Sequence, residues 1–533
     1  MSNKAKELIF EEDARDFLRK GIKTLSDVVS VTLGPKGRYV GLDASWGAPK
    51  ITNDGNSIVK DIELKDQYAN MGVSVGKEVA LKMKEKCGDG TTTSLLLLGS
   101  LVDHGIKNIA SGSSPIYVKR GMEKAVDAIV SFLEKSASPV KKDSEIEEIA
   151  IASASGSEEV GKMIAEAFKK VGKAGVISIE EGKSVETTVE MVEGMQFDRG
   201  YSSSYFCTNA EKMICEMTNA KILITDKKIT SIQEILPLLQ SIASTGQEFL
   251  IIADDIEGDA LATLVVNRLR GILKVCAVKA PGFGDRRKSL LQDIAILTGA
   301  QFVSEETGFN LKEVDASVLG SAEKILITKD HTTLIDGKGN SKAIQARVRQ
   351  LENEMEHTES SYDQEKLQER KAKLSGGVAV IRVGATTDPE LKQKKQLFED
   401  SLSSTKAAIE EGIVVGGGIA LLRASMGVME ELQLSKEEEV GAKITLEACK
   451  TPFRQLVENS GFESSTYLEE VLKNKDNFGF NVNTGTVEDL FKAGIRDPLK
   501  IVKSALKFAA SAAGVILLSE CLIGEAAEEE IEN

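Results

Sequence analysis

The chain is poor in the side chains that carry nucleophilic and metal chemistry. Only three histidines occur in 533 residues, His104, His331 and His357, and none stands near a serine or cysteine elbow motif. That argues against triad catalysis. The six cysteines, Cys87, Cys207, Cys215, Cys276, Cys449 and Cys521, are widely scattered and form no C-x-x-C pair. The spacing gives neither a zinc site nor a disulfide framework and suits a reducing compartment. Aromatic residues make up 5%, with one tryptophan, Trp46. The longest near-apolar stretch, Phe508 to Leu518, is too short to span a bilayer. The start leads into no signal-peptide core, so no membrane partner and a cytoplasmic location are expected. A net charge of −15 argues against nucleic acid as a main partner. The usual P-loop, G-x-x-x-x-G-K-S/T, occurs nowhere.

What is present is Gly88-Asp89-Gly90-Thr91-Thr92-Thr93, followed by four leucines. Glycines let backbone approach a ligand closely. The threonines stand where a helix begins, and a helix N-terminus attracts anions. Asp89 repels phosphate by itself, but a divalent cation can bridge the two. The segment reads as a metal–phosphate cradle, against the plainer reading of a helix start after a glycine turn. Two further glycine sites resemble it: Leu33-Gly34-Pro35-Lys36-Gly37 and Gly416-Gly417-Gly418. Asp54, Asp89 and Asp400 are candidate carboxylates, since nucleotide hydrolysis needs phosphate donors, a cation site and a group that positions water. Sequence spacing alone does not bring Asp400 near Asp89.

Organisation changes along the chain. Apolar residues Phe17, Leu18, Ile22, Leu25, Val28 and Val29 form a helical stripe. Helical patterns return from Met71 to Lys86, from Thr93 to about Ser136, and from Lys500 to Leu518. Short strands at Tyr39 to Leu42 and near Ile51 bracket Trp46 to Pro49. In the middle, Phe249 to Ala253, Gly258 to Arg270 and Val275 to Val278 read as strand, helix and parallel strand. Ala343 to Leu374 reads as a two-helix hairpin with Ile344, Val348, Leu351 and Met355 on one seam, and Val378 to Val383 as a strand. Helical ends around an α/β centre make that centre an insertion if the ends pack together.

These segments, in this order, resemble the group I chaperonins, the GroEL-type family. The markers are Thr32 to Arg38, Asp54-Gly55, Gly88 to Thr93, Val192 to Tyr201 (VEGMQFDRGY), Lys279 to Lys288 (KAPGFGDRRK), Asp363 to Arg370 (DQEKLQER), Glu410 to Gly412 and Gly416 to Gly418. The resemblance covers the chain to about Leu522. It implies an α+β multidomain fold: an equatorial domain from both ends (1–137 and 412–533), an intermediate domain in two pieces (138–192 and 377–411) and an inserted α/β apical domain (193–376). It also implies an ATP-dependent chaperone that self-associates into two stacked seven-membered rings, with non-native polypeptides as clients and a GroES-type lid.

Carried over by position, Thr32, Leu33, Gly34 and Pro35 would contact nucleotide phosphates, beside Asn53. Asp89 would hold Mg2+, with K+ as an additional candidate ion, and Gly90, Thr91, Thr92 and Thr93 would surround the phosphates. Asp54 would sit by the γ-phosphate and attacking water, which Asp400 would activate or orient. Gly417, Asn481, Asn483 and Asp497 would meet the nucleoside. Pro139 with Gly412 and Gly194 with Gly377 would be hinges, and Arg454 and Glu463 would meet the other ring. Tyr201, Tyr205, Phe206, Leu236, Leu239, Leu261, Val265 and Val266 match the client and lid surface; from the residues alone, a core role is the better reading of each. Asn53 stands where the family usually has lysine, and the acidic stretch Glu525 to Glu532 replaces its Gly-Gly-Met tail. These departures leave open a binding scaffold with weak ATPase activity; an unrelated metal-dependent phosphohydrolase would have no use for so extensive an apical segment.

Overall fold

The computed structural model describes residues 5–43, 49–154, 156–172, 175–182, 184–210, 212–304, 311–358, 360–375, 377–429 and 432–526. Most of the Trp46 segment and the acidic tail beyond Ala526 lie outside the described residues. Two compact units are present: Met1–Ala165 with Lys392–Asn533, and Glu166–Leu391.

The first unit is helical and draws on both parts of the chain. Strand Lys6–Phe10 pairs antiparallel with Cys521–Glu525, Lys6 opposite Glu525. The expected stripe forms helix Glu11–Ser30, which buries Leu18, Ile22, Leu25 and Val29. It crosses helix Gln67–Cys87 so closely that a β-carbon on Gly72 would lie 2.3 Å from the Leu18 carbonyl oxygen. The long pattern after Thr93 divides into two helices, Thr91–Ala110 and Pro115–Ser136. Serine 114 ends the intervening turn, and proline suits the first turn of the second helix, where its missing N–H costs nothing. Leu95, Leu97 and Leu98 are buried in one core with helix Leu499–Leu517, and Leu96 is buried outside that cluster.

The second unit holds a mixed sheet. Its order is Lys274–Lys279, Glu248–Ala253, Cys215–Thr225, Gly320–Ile327, Thr332–Gly337 and Gly194–Phe197, with Phe302–Val303 beside Cys215–Thr225. The expected strand–helix–strand unit is present and parallel: Val275 lies opposite Phe249 and Val278 opposite Ile252, joined through helix Gly258–Leu269. These strands are near-continuous apolar runs because both faces are covered. A smaller sheet places Val378–Val383 between Val176–Glu181 and Thr188–Val192.

The charged stretch folds as the expected hairpin, Ser341–Glu356 and Ser361–Ser375. Asp293, fully buried on helix Gly284–Thr298, fastens it: Arg347 Nε donates to Oδ1 at 2.8 Å and Arg370 Nε to Oδ2 at 2.8 Å. Arg286 donates to the Tyr362 hydroxyl at 2.9 Å and to Asp363 at 3.0 Å. The KAPGFGDRRK and DQEKLQER segments therefore bind one another.

Candidate nucleotide site

Three segments of the first unit converge on Thr92. After helix Glu11–Ser30 the chain turns, Gly34 taking a φ of 81°. Gly37 N donates to Gly34 O at 2.9 Å, and Arg38 N to Val31 O at 2.7 Å. Asn459 Nδ2 steadies the loop by donating to Ser30 O at 2.9 Å and Leu33 O at 3.0 Å. Gly34 and Pro35 stay exposed, while the hydroxyl oxygens of buried Thr32 and of Thr92 lie 3.4 Å apart. Asp54 caps helix Gly55–Asp61, accepting from Ser57 N at 2.9 Å and Asn56 N at 3.4 Å. Gly55 abuts Thr92; a β-carbon there would lie 2.6 Å from the Thr92 hydroxyl.

The Gly88-Asp89-Gly90 turn is built from two left-handed residues, with φ of 74° at Gly88 and 88° at Gly90. Gly90 also begins helix Thr91–Ala110 without a side chain to cap it. Backbone N–H groups at that end can therefore serve an anion. Gly88 has a second reason to be glycine: a β-carbon would sit 2.2 Å from Ser403 Cβ.

This close approach explains how Asp400 arrives. Ser403 and Asp400 belong to helix Asp388–Glu411. Ser404, one turn after Asp400, donates to Asp89 Oδ2 at 2.9 Å, while Asp89 Oδ1 accepts from Gly90 N at 2.6 Å. Asp400 Oδ1 accepts from Lys84 Nζ at 2.6 Å and from Gln396 Nε2 at 2.8 Å. Lys84 also donates to Gly88 O at 3.0 Å, tying helix, turn and aspartate together. Burial pushes the Asp400 carboxyl up to about 7, opposed by Lys84 and assisted by the charges of Asp89 and Asp54. The same three carboxylates hold Lys84 above its ordinary value despite its burial.

Asp497 joins the edge of this cluster. Its strand, Arg496–Pro498, pairs with Ile413–Val415, and Gly416 N donates to Ile495 O at 3.0 Å. A β-carbon on Gly416 would lie 3.1 Å from Asp497 Oδ1. Burial and then the Asp89 charge push Asp497 up to about 7. Gly417, with φ of 67°, faces Leu490 next to the hairpin Phe478–Asn481 and Thr486–Asp489. Buried Asn481 donates to Glu488 Oε1 at 2.7 Å and accepts from Asn483 N at 3.0 Å. Asn53 and Asn483 are exposed.

Among the described residues, no group of three or more His, Cys, Asp or Glu side chains could hold a metal ion. Magnesium arriving with a triphosphate fits the residues present, because it typically takes one or two carboxylates and completes its shell with phosphate oxygens and water. Asp89 supplies such a carboxylate beside an uncapped helix end. Sequence reasoning missed Lys84, Gln396, Ser404 and Asn459; each acts on a partner whose proximity only the fold creates, save Gln396, whose spacing of four from Asp400 on one helix was a readable cue.

The expected client surface needs correction at two positions. Phe206 is 0% and Leu239 5% exposed, and both belong to the core of the second unit. Helix Leu236–Thr245 turns Leu238, Leu239 and Ile242 inward. Tyr201, Leu236, Leu261 and Val265 are half-buried, whereas Tyr205 and Val266 are exposed at 63% and 43%. Leu269, Ile272 and Phe283 are exposed in the same unit and were not anticipated. Within the chain, Arg454 pairs with Glu447 at 2.8 Å, and Glu463 caps helix Ser464–Lys473.

The chain is 62% identical to a protein named chaperonin GroEL 3 of Protochlamydia amoebophila, over 99% of both chains. Its fold resembles the crystal structure of the chaperonin gp146 of bacteriophage EL (Pseudomonas aeruginosa), obtained in the presence of ATP-BeFx, with a TM-score of 0.69 and 23% identity over 97% of this chain and 99% of that one. A model of the TCP-1/cpn60 chaperonin family matches residues 25–526. The chain belongs to that family and is an ATP-dependent molecular chaperone.

Proposed function

We propose that this chaperone binds Mg·ATP in the cluster around Thr92 and hydrolyses it there. The observation that carries the reading is the gathering of Asp54, Asp89 and Asp400, from three distant segments, beside one uncapped helix N-terminus. The backbone of the Thr32–Pro35 loop and of Gly90–Thr93 would cradle the phosphates. Asp89 would hold the magnesium ion, which when bound neutralises charge on the phosphate oxygens. Asp54 and Asp400 would orient the attacking water, Asp400 accepting its proton when ionised. Gly417, Asn481 and Asp497 would line the nucleoside side. Positioning and electrostatics dominate phosphoryl transfer, so this inventory is sufficient in kind.

The same reading divides the chain into equatorial, intermediate and apical domains at the expected boundaries. Its hinge pairs lie side by side: Ser138 and Ile413 exchange two backbone hydrogen bonds of 2.9 Å beside Pro139 and Gly412, and Gly377 packs on the Val192 carbonyl next to Gly194. Tyr205, Val266 and their half-buried neighbours would meet non-native polypeptides and a GroES-type lid, in seven-membered rings, in the cytoplasm. No helix among the described residues is long and apolar enough to cross a membrane.

Steady-state ATP hydrolysis by the assembled protein, with Asp400→Ala as comparison, tests the reading. Turnover is expected to fall at least about a hundredfold, the lower end of what a positioned acid–base group contributes. A wild-type rate no higher than the variant's supports the scaffold alternative, against which the intact carboxylate cluster speaks.

A further inference from the structure

Helix Asp388–Glu411 carries a cluster of hydroxyl side chains: Ser401, Ser403, Ser404 and Thr405. A helical hydroxyl has a ready local acceptor, the carbonyl four residues back. Ser403 and Thr405 use it, donating to Glu399 O at 2.8 Å and to Ser401 O at 2.7 Å. Ser401 donates to Ala150 O at 2.8 Å. Ser404 forgoes its local carbonyl, that of Asp400, and gives its single proton to Asp89 Oδ2 at 2.9 Å, 315 residues away in sequence. At 1% exposure this hydroxyl has no water to turn to instead.

The acceptor is half-buried. A carboxylate offers about four lone pairs on its two oxygens. Gly90 N takes one on Asp89 Oδ1 at 2.6 Å and Ser404 takes one on Oδ2, which leaves one on each oxygen. Hydrogen bonds to both oxygens restrain rotation of the group. The same helix face reaches the turn a second time. Gln396, Asp400 and Ser404 recur every fourth residue, so they lie one above another. Lys84 links the middle one, Asp400, to Gly88 O, the carbonyl just before Asp89.

We propose that Ser404 is a positioning residue for magnesium, holding the Asp89 carboxylate in the orientation that takes the ion. The inference rests on the reading of Asp89 as the magnesium ligand. A group that hydrogen-bonds a ligating side chain orients it, and removing such a partner typically costs about ten- to a hundredfold in metal affinity. Asp400 lies one turn before Ser404 on the same helix. Docking of that helix on the Gly88–Gly90 turn therefore sets the metal ligand and the group that orients water together. The coupling is reciprocal: whatever affinity Ser404 adds for the ion, the ion adds to the docking of the helix.

ADP binding to the assembled protein, measured by calorimetry in excess Mg2+ and again in excess EDTA, tests it. The ratio of the two affinities is the magnesium contribution. Ser404→Ala should lower that ratio about tenfold, the low end for such a partner, and leave binding in EDTA unchanged. A merely structural contact would weaken binding equally in both. Ser404→Thr keeps the hydroxyl and should keep the ratio. A wild-type ratio in the alanine variant, a loss just as large in EDTA, or a threonine ratio as low as alanine's overturns the role of Ser404. Asp89→Asn separates this from the underlying reading: it should abolish the magnesium contribution, and a ratio that survives it refutes Asp89 as the ligand.

Discussion

Replacing Lys84 by methionine removes the cation that holds Asp400 while keeping the length of the side chain. Coulomb attraction at 2.6 Å is worth roughly 6 kcal/mol at an effective dielectric constant of about 20. Desolvation of the ammonium offsets much of it, and the pair keeps 29% and 22% of its side-chain surface exposed. A net effect at the low end of what a close opposite charge does, about one pKa unit or 1.4 kcal/mol, is the conservative figure. Asp400 titrates at about 7, raised above the ordinary carboxylate value, so its ionised form is lost as pH falls through that point. Without Lys84 this limb moves to higher pH. At pH 7 the ionised fraction would fall from about a half to about a tenth, and turnover about fivefold; near pH 9 the two proteins would be nearly equal. The assay is kcat for ATP from pH 5.5 to 9.5. An acidic limb that stays in place, or a loss equal at every pH, would refute the role of Lys84 in setting the charge of Asp400.

Three other substitutions, all in the second unit, have expected outcomes. Val266→Glu should leave the melting temperature almost unchanged, as surface substitutions do, and lower capture of an unfolded protein in a light-scattering assay; Leu239→Glu should instead unfold the unit, because it buries an unpaired charge. Asp293→Ala strands Arg347 and Arg370 beside a buried gap, so urea titration should show a loss of about 3–5 kcal/mol, with the hairpin Ser341–Ser375 becoming protease-sensitive first.

Much of the secondary structure was legible because each element carries its own period. The stripe from Phe17 to Val29, the apolar runs at Phe249 and Val275, and the seam from Ile344 to Met355 all form the expected elements. The break at Ser111 to Ser114 inside the long helical stretch was missed, although the Ser-Gly-Ser-Ser-Pro sequence marks it. Phe206 and Leu239 were carried over as surface residues although an apolar side chain on an inward helical face is more often core, and the structure buries both.

The sequence by itself determined the local pieces: an anion-ready helix start after Gly88-Asp89-Gly90, a capping Asp54, a helix bearing Asp400. Those depend on neighbours a few residues away, through backbone sterics and helical period. Only the tertiary structure decided which pieces meet. Glycine 88 admits Ser403, and that contact, with the Lys84 clamp, sets Asp400 beside Asp89 across more than three hundred residues. Contacts between distant segments are fixed by packing of the whole core, and no local spacing encodes them.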